Sequence, residues 1–474
     1  MAVPPPASHS YGYLMFSFLC LSPILHTATA SSSSSSSLSS LSFKLPPMGW
    51  MSWELFRCNV NCTGKYHDTC IGHDAFVKQA TVLIKDGYFR AGYNRVHVDD
   101  CFANRQRDPV SGDIVADPTR FGTGGMRKLA TDIAPVELAV YSDCGTMTCM
   151  GYPGSINHEV HDAKLFFQKW GATYLKYDGC YNNITGYPSG YAKMGQALRS
   201  AGGEKTYYSC SWPAYLGDDE TKKPYAQMTA AGCDLWRNYG DIQCDLGSLM
   251  DIVDHYGDYS KFLATVSGQG KGYNDPDMLL IGNTCIPDGA ARLQMAVWSI
   301  LAAPLIMGND LRLVPTPIRD QVLLNEEAIA IDQDPLGIPG YRASNKSDVA
   351  ELWVRPKLAD GGAAVAVVYK GGSSLTRARL ERNPSGSAWT TRKIGAVQLG
   401  KTKKLTLHVP FGAEIGWSPP SGTASVRDIY ARTSLGEHTS GVDVSLTVTE
   451  GIPETVLLRL SDAADSRAVS DARK

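Results

Sequence analysis

Two carboxylates at the ends of apolar runs have the type and spacing to do chemistry. In "YLKYDGC" (174–180), Lys176 and Asp178 stand two residues apart. On a strand both side chains point to one face. An ammonium that close keeps Asp178 ionised, the state a nucleophile needs, although a salt bridge closing a strand end would use the same pair. In "WRNYGD" (236–241), Arg237 and Asp241 follow a later run. A second carboxylate across one mouth allows acid and base work on a single acetal bond, a loop ion pair being the plainer alternative. "VDDC" (98–101) adds Asp99 and Asp100, adjacent carboxylates able to grip hydroxyls or hold a metal. Metal hydrolysis fits poorly. There are 10 His, and "HEVH" (158–161) lacks the HExxH spacing. It is expected to cap a helix beginning near residue 158, and neither metal nor cofactor is expected.

Aromatic residues accompany these acids: Trp50, Trp53, Tyr141, Trp212 and Tyr215 all lie near the ends of such runs. Each alone reads as core. Together with several acids and an arginine, they imply an uncharged, hydroxyl-rich ligand whose apolar C–H faces pack on rings.

The elements that must position these residues repeat. Short apolar runs at 93–101, 136–144, 172–180, 205–212, 233–241 and 300–307 follow an opening "MGWMSW" (48–53), with helical spacing between them at 73–89 and 161–171. Strand then helix, repeated about eight times, predicts a (β/α)8 barrel with its chemistry at the strand C-terminal ends, where Asp99, Asp100, Asp143, Asp178 and Asp241 fall. An open doubly wound sheet would place a Gly-rich phosphate loop after its first strand, and there is none. After "IDQDPLGIPG" (331–340) β-branched runs between Gly/Pro turns predict a C-terminal antiparallel β-sandwich. The domains are therefore expected at 44–338 and 339–462, with a polar tail at 463–474.

The 474-residue chain is 43% hydrophobic with formal net charge -2, which offers no electrostatic footprint for nucleic acid or anionic membrane. Residues 1–30 read as a signal peptide, with an apolar stretch at 13–25 and "ATA" before Ser31 but no basic residue ahead of it. Residues 31–43 form a Ser-rich spacer, and no later run is long enough to span a membrane. Of the 12 cysteines, all but Cys20 lie within 58–285, a density that in an exported chain means disulfides and, the count being odd, at least one free thiol. Sequons at Asn61, Asn183 and Asn345 fit the same route.

The strings "PPMGWMSWELFRCNVNC", "VDDC", "TCMGYPGS", "LKYDGC", "SCSWPAY", "LWRNYGDIQ", "NDPDML" and "IDQDPLG" occur in order between 46 and 337. The chain thereby resembles the α-galactosidase and α-N-acetylgalactosaminidase family of retaining glycoside hydrolases. The resemblance implies Asp178 as nucleophile and Asp241 as acid/base, with carboxyls roughly 5–5.5 Å apart. It implies that Asp99, Asp100 and Lys176 hold the ring hydroxyls, that Trp53, Tyr141 and Tyr215 line the pocket, and that Arg237 reaches toward C2. It also implies disulfides Cys58–Cys101, Cys62–Cys70, Cys149–Cys180 and Cys210–Cys233, leaving Cys144, Cys244 and Cys285 open. In "SCSWPAY", Ser211 and Ala214 resemble the α-N-acetylgalactosaminidase type, where small side chains admit an acetamide that bulkier residues exclude. The expected substrate is thus a glycan with terminal α-GalNAc, or less efficiently α-Gal, met by a lysosomal or secreted homodimer. A true α-galactosidase and a catalytically silent sugar-binding relative are the alternatives, against which stand Ser211 with Ala214, and the intact Asp178 with Asp241. Two departures from the family pattern, Gly-Tyr before "NDPD" in the 267–278 loop and Gly240, bear on the aglycone side.

Overall fold

The computed structural model describes residues 44–66, 68–346, 350–371 and 401–465. The expected signal peptide, the spacer and residues 466–474 of the tail lie outside them. From Phe43 onward the chain is one compact unit.

Eight parallel strands form the first sheet: β1 Met48–Met51, β2 Arg95–Val98, β3 Glu137–Asp143, β4 Tyr174–Asp178, β5 Tyr207–Cys210, β6 Leu235–Arg237, β7 Tyr273–Asp275 and β8 Leu305–Met307. Their order is β7-β6-β5-β4-β3-β2-β1-β8. A parallel bridge between Leu279, just past β7, and Met307 brings the two edges together. The fold is a (β/α)8 barrel. β7 is only three residues long and sits inside a Gly-rich loop, so its apolar signal is weak in the sequence. The run 300–307 is divided: Ile300 and Leu301 end the helix Asp288–Leu301, and only Leu305–Met307 are strand.

Strands flanked on both faces read as continuous apolar runs, and β1 and β2 are buried at every position. One small cluster, Ala139, Tyr174, Leu235, Tyr273 and Ala302, packs apart from the main core. The far larger cluster unites strand residues with the surrounding helices, among them His73–Lys85 and Leu246–Val266. Helical structure also spans Glu159–Trp170, its last six residues wound as a π-helix. His158 occupies the N-cap position of that helix without a capping side-chain bond, and His161 bonds Asp113 at 2.7 Å instead.

Beyond the barrel, β9 Tyr341–Lys346, β10 Ala350–Arg355, β11 Ala363–Tyr369, β12 Thr402–Pro410, β13 Ala424–Asp428, β14 Thr433–His438, β15 Gly441–Thr449 and β16 Glu454–Asp462 build two antiparallel sheets. Their orders are β14-β13-β16-β11-β10-β9 and β12-β15. β15 alternates buried and exposed residues along its length, as a strand with one wet face must. The six-stranded sheet packs on the barrel helix Asp288–Leu301, where Arg292 and Glu454 pair at 2.6 Å. Ala463, in the stretch expected as polar tail, is buried and bonded to Thr423.

Candidate active site

The site is built where the strands end. On β4, Lys176 and Asp178 share a face while Leu175 and Tyr177 face the helices, Tyr177 packing on Tyr191 and Tyr208. In the β3–β4 register Tyr141 stands beside Lys176, and Asp143 beside Asp178. Period-two alternation therefore delivers a phenol, an ammonium and a carboxylate to one surface.

Asp178 accepts on both oxygens: from the Tyr141 hydroxyl at 3.0 Å and the Tyr215 hydroxyl at 2.7 Å. Two fixed phenols thus set the orientation of this carboxylate. Lys176 donates to Asp99 at 2.8 Å, with Asp99 2% exposed, and lies 5.1 Å from the centre of the Tyr141 ring. Burial opposes charge on Lys176, but Asp99, then Asp178 and Asp241, raise its pKa and hold it protonated. Burial conversely raises Asp99 against the pull of Lys176.

Asp241 has a different environment. Arg237, at the end of β6, donates to its Oδ1 at 3.1 Å and to Asp277 at 2.9 Å. Desolvation works against ionisation of Asp241, yet Arg237 and then Lys176 hold its carboxyl below the usual range. Its side chain is 46% exposed, against 4% for Asp277. It is the accessible acid of the pair.

Asp100, which lines one cavity with Tyr141, ties down the loop after β3. It accepts from Thr148 Oγ1 at 2.8 Å and from the Met150 amide at 3.0 Å, and burial raises its pKa to about 6. Asp143 holds the same loop from the other side, accepting from the amides of Gly145 and Cys180. The β3 and β4 loops meet so closely that a side chain at Gly145 would collide with the Cys180 carbonyl. Cys149–Cys180 staples them together.

Ser211 is buried at the N-cap of the short 3₁₀ turn Trp212–Leu216, which carries the partly buried Ala214 and Tyr215. Trp212 anchors that turn by stacking on Tyr191 at 5.5 Å. Trp212 and Trp50 are buried in the core rather than available to a ligand, Trp50 being spent on a bond to the Asn309 carbonyl. Trp53 is partly buried, its ring 5.5 Å from the Arg57 guanidinium.

Three features escape the sequence reading. Asp277, inside "NDPDML", is the second partner of Arg237 and sits at a left-handed φ of 79°. Glu54 and Arg57 pair at 2.5 Å beneath the site, and burial lifts Glu54 to about 7. The disulfides are Cys58–Cys101, Cys62–Cys70, Cys149–Cys180, Cys210–Cys233 and a fifth, Cys244–Cys285, which leaves Cys144 free and buried. The sequon residues Asn61 and Asn183 are exposed, each accepting from the Thr two residues on. Asn345 lies on β9.

Residues 45–334 match the family described as alpha galactosidase A. Alpha-N-acetylgalactosaminidase of Gallus gallus is 42% identical over 315 residues, covering 66% of this chain and 76% of the relative. The Homo sapiens protein of that name is 41% identical over 314 residues, covering 66% and 74%. Alpha-galactosidase A of Homo sapiens is 34% identical over 423 residues, covering 88% and 89%. The crystal structure of alpha-galactosidase I from Mortierella vinacea superposes with a TM-score of 0.70 at 25% identity, covering 89% of this chain and 98% of that one.

Proposed function

Because the chain belongs to the alpha galactosidase A family of glycoside hydrolases, we propose that it removes terminal α-linked N-acetylgalactosamine from glycans, with retention, and acts more weakly on α-galactose. Asp178 is the nucleophile and Asp241 the acid/base. Asp241 protonates the glycosidic oxygen as the C–O bond breaks, and Asp178 takes the anomeric carbon. Asp241, now a carboxylate, then removes a proton from the water that displaces Asp178. Its depressed pKa suits the second step, and for the first Asp241 takes up a proton from acid medium. Asp99 and Lys176 hold ring hydroxyls, with Asp100 behind them and Trp53 and Tyr141 against the sugar.

One observation carries the choice of N-acetylgalactosamine. Ser211 and Ala214 stand on the same turn as Tyr215, whose hydroxyl bonds Asp178. A nucleophile meets C1, and the resemblance to the α-N-acetylgalactosaminidase type puts this neighbouring turn against the substituent on C2. Two small side chains there leave room for an acetamide, Ser211 offering a donor to its carbonyl and Ala214 a contact to its methyl, with Arg237 on the same side. A galactose in that space loses contact energy of only about 1–3 kcal/mol, so residual turnover is expected. Export to a lysosome or the cell exterior is supported by five disulfides, which persist in oxidising compartments.

The test is kcat/KM on nitrophenyl α-GalNAc and nitrophenyl α-Gal, side by side at acid pH. A preference for GalNAc supports the assignment. A preference for galactose keeps the mechanism and makes the protein an α-galactosidase. Turnover of neither, with binding of both, points to a silent relative.

A further inference from the structure

The segment Asn238-Tyr239-Gly240-Asp241 leaves β6 without regular structure, and a buried polar cluster grips it from behind. Glu220 and Lys223 both have side chains with 0% exposure and pair at 2.9 Å. The same Glu220 oxygen accepts from His255 Nε2 at 2.6 Å, and its other oxygen accepts from the Tyr225 hydroxyl. Lys223 reaches on to the Asn238 carbonyl at 2.6 Å. The Asn238 amide donates to Tyr225 and to Asn274, at 2.6 Å and 3.0 Å, and its oxygen accepts from Tyr256 at 2.7 Å. One residue further, the His255 ring stacks on Tyr239 with centroids 3.8 Å apart and an interplanar angle of 11°. Tyr239 is tied in turn to Asp251 at 3.0 Å.

A buried ion pair of this kind adds little stability over apolar residues of the same volume, because desolvation cancels most of the attraction. Position is what it supplies. Lys223 fixes a backbone carbonyl, Asn238 is held by three side chains, and His255 fixes the ring of the next residue. Arg237 and Asp241 bracket that stretch and bond each other across it.

We propose that Glu220, Lys223 and His255 are positioning residues for proton transfer by Asp241, acting through the clamped Asn238–Tyr239 segment. This rests on Asp241 being the acid/base. A general acid matters in proportion to how poor the leaving group is, so the clamp should matter in the same proportion.

The experiment measures kcat/KM for Lys223→Met and His255→Phe on α-GalNAc glycosides of 2,4-dinitrophenol, 4-nitrophenol and methanol, with active enzyme counted by a covalent mechanism-based inhibitor. Dinitrophenyl turnover per active site is expected within about threefold of the parent. The methyl glycoside should fall about tenfold or more, a part of the roughly 10²–10⁴ that general acid catalysis supplies. Equal losses on all three substrates, or no loss on any, would overturn the proposal. His255→Phe keeps a ring against Tyr239 and removes only the bond to Glu220, so it decides the matter should Lys223→Met not fold. Asp241→Asn is run alongside. If that variant shows no leaving-group dependence, the acid/base assignment itself fails; if it does while the clamp variants do not, only the clamp is refuted.

Discussion

Filling the space beside Tyr215 should convert the substrate preference. Ser211→Glu with Ala214→Leu adds bulk at two positions whose backbone is already pinned: the Ser211 amide donates to the Tyr177 carbonyl at 3.0 Å and the Ala214 amide to the Ser211 carbonyl at 3.1 Å. Trp212 is locked against Tyr191, so the new side chains extend into the pocket rather than moving the turn. The leucine brings three more carbons than the Ala214 it replaces, about the size of the acetamide it would displace. Overpacking of that size costs about 1–3 kcal/mol, and loss of the Ser211 donor adds roughly 1 kcal/mol. Together these lower kcat/KM for nitrophenyl α-GalNAc by roughly 30- to 1,000-fold at about 1.4 kcal/mol per decade. Nitrophenyl α-Gal has only a hydroxyl at C2 and should stay within about tenfold of the parent. The assay is the ratio of the two constants with active sites counted. A parallel fall on both substrates would refute the reasoning, because it would mean that the change displaced Tyr215 from Asp178 or that the substituent lies elsewhere.

Replacing Asp178 by Asn should abolish turnover while N-acetylgalactosamine binding, read by calorimetry, survives; retained turnover would mean the nucleophile is misassigned. Burial raises Glu54 to about 7 and Asp100 and Asp275 to about 6, so each keeps its proton in the native state at a pH where the unfolded chain has released it. Their contribution is whole below about pH 4 and is withdrawn as pH rises to about 7; thermal melts should give a higher Tm near pH 5 than near pH 7.5, with a flatter slope in Glu54→Gln, and the opposite trend would disprove it. Removing Cys244–Cys285 by a double Ser substitution opens a closure of 41 residues, three positions beyond Asp241, and should cost about 4 kcal/mol of stability by the chain-entropy estimate. Denaturant melts check this, an unchanged midpoint counting against it.

The parts of the site legible in the sequence are those fixed by local geometry. Lys176 and Asp178 follow from a period of two, and the strand-end acids follow from a barrel whose loops gather at one face. Partnerships made across the barrel are not local. Asp277 meets Arg237 from another strand end, in a left-handed conformation that no residue type announces. Asp100 reads as a ligand group because "VDDC" is adjacent in sequence, while its bonds to Thr148 and the Met150 amide reach a loop that spacing does not announce. Trp50 and Trp212 sit at strand ends as expected but pack on the helix layer, Trp50 by its phase of the β1 alternation and Trp212 because the turn after β5 stacks it on Tyr191. The fifth disulfide depends on two loops meeting, and spacing alone leaves Cys244 and Cys285 free to pair otherwise. The antiparallel sheets are the easier reading, since β15 shows its wet and dry faces directly in "VDVSLTV".

The two carboxylates on Arg237 divide one job between them. Asp277 is fixed: its side chain is 4% exposed, and its oxygens accept from the Ile242 amide at 2.9 Å and the Met278 amide at 2.8 Å. Asp241 is 46% exposed and shares the same guanidinium nitrogen at a longer distance, 3.1 Å against 2.9 Å. When Asp241 takes up a proton it ceases to need Arg237, and Arg237 keeps a buried counter-charge in Asp277. A guanidinium with one partner would be stranded at that moment, at the cost of an unpaired buried charge. In the proposed mechanism, two partners let the arginine stabilise Asp241 as a base once the sugar is attached to Asp178, and release it as an acid before. Asp178 accepts from two phenols and, among the described residues, is paired directly with no cation, a setting that suits its place as nucleophile in the proposed mechanism.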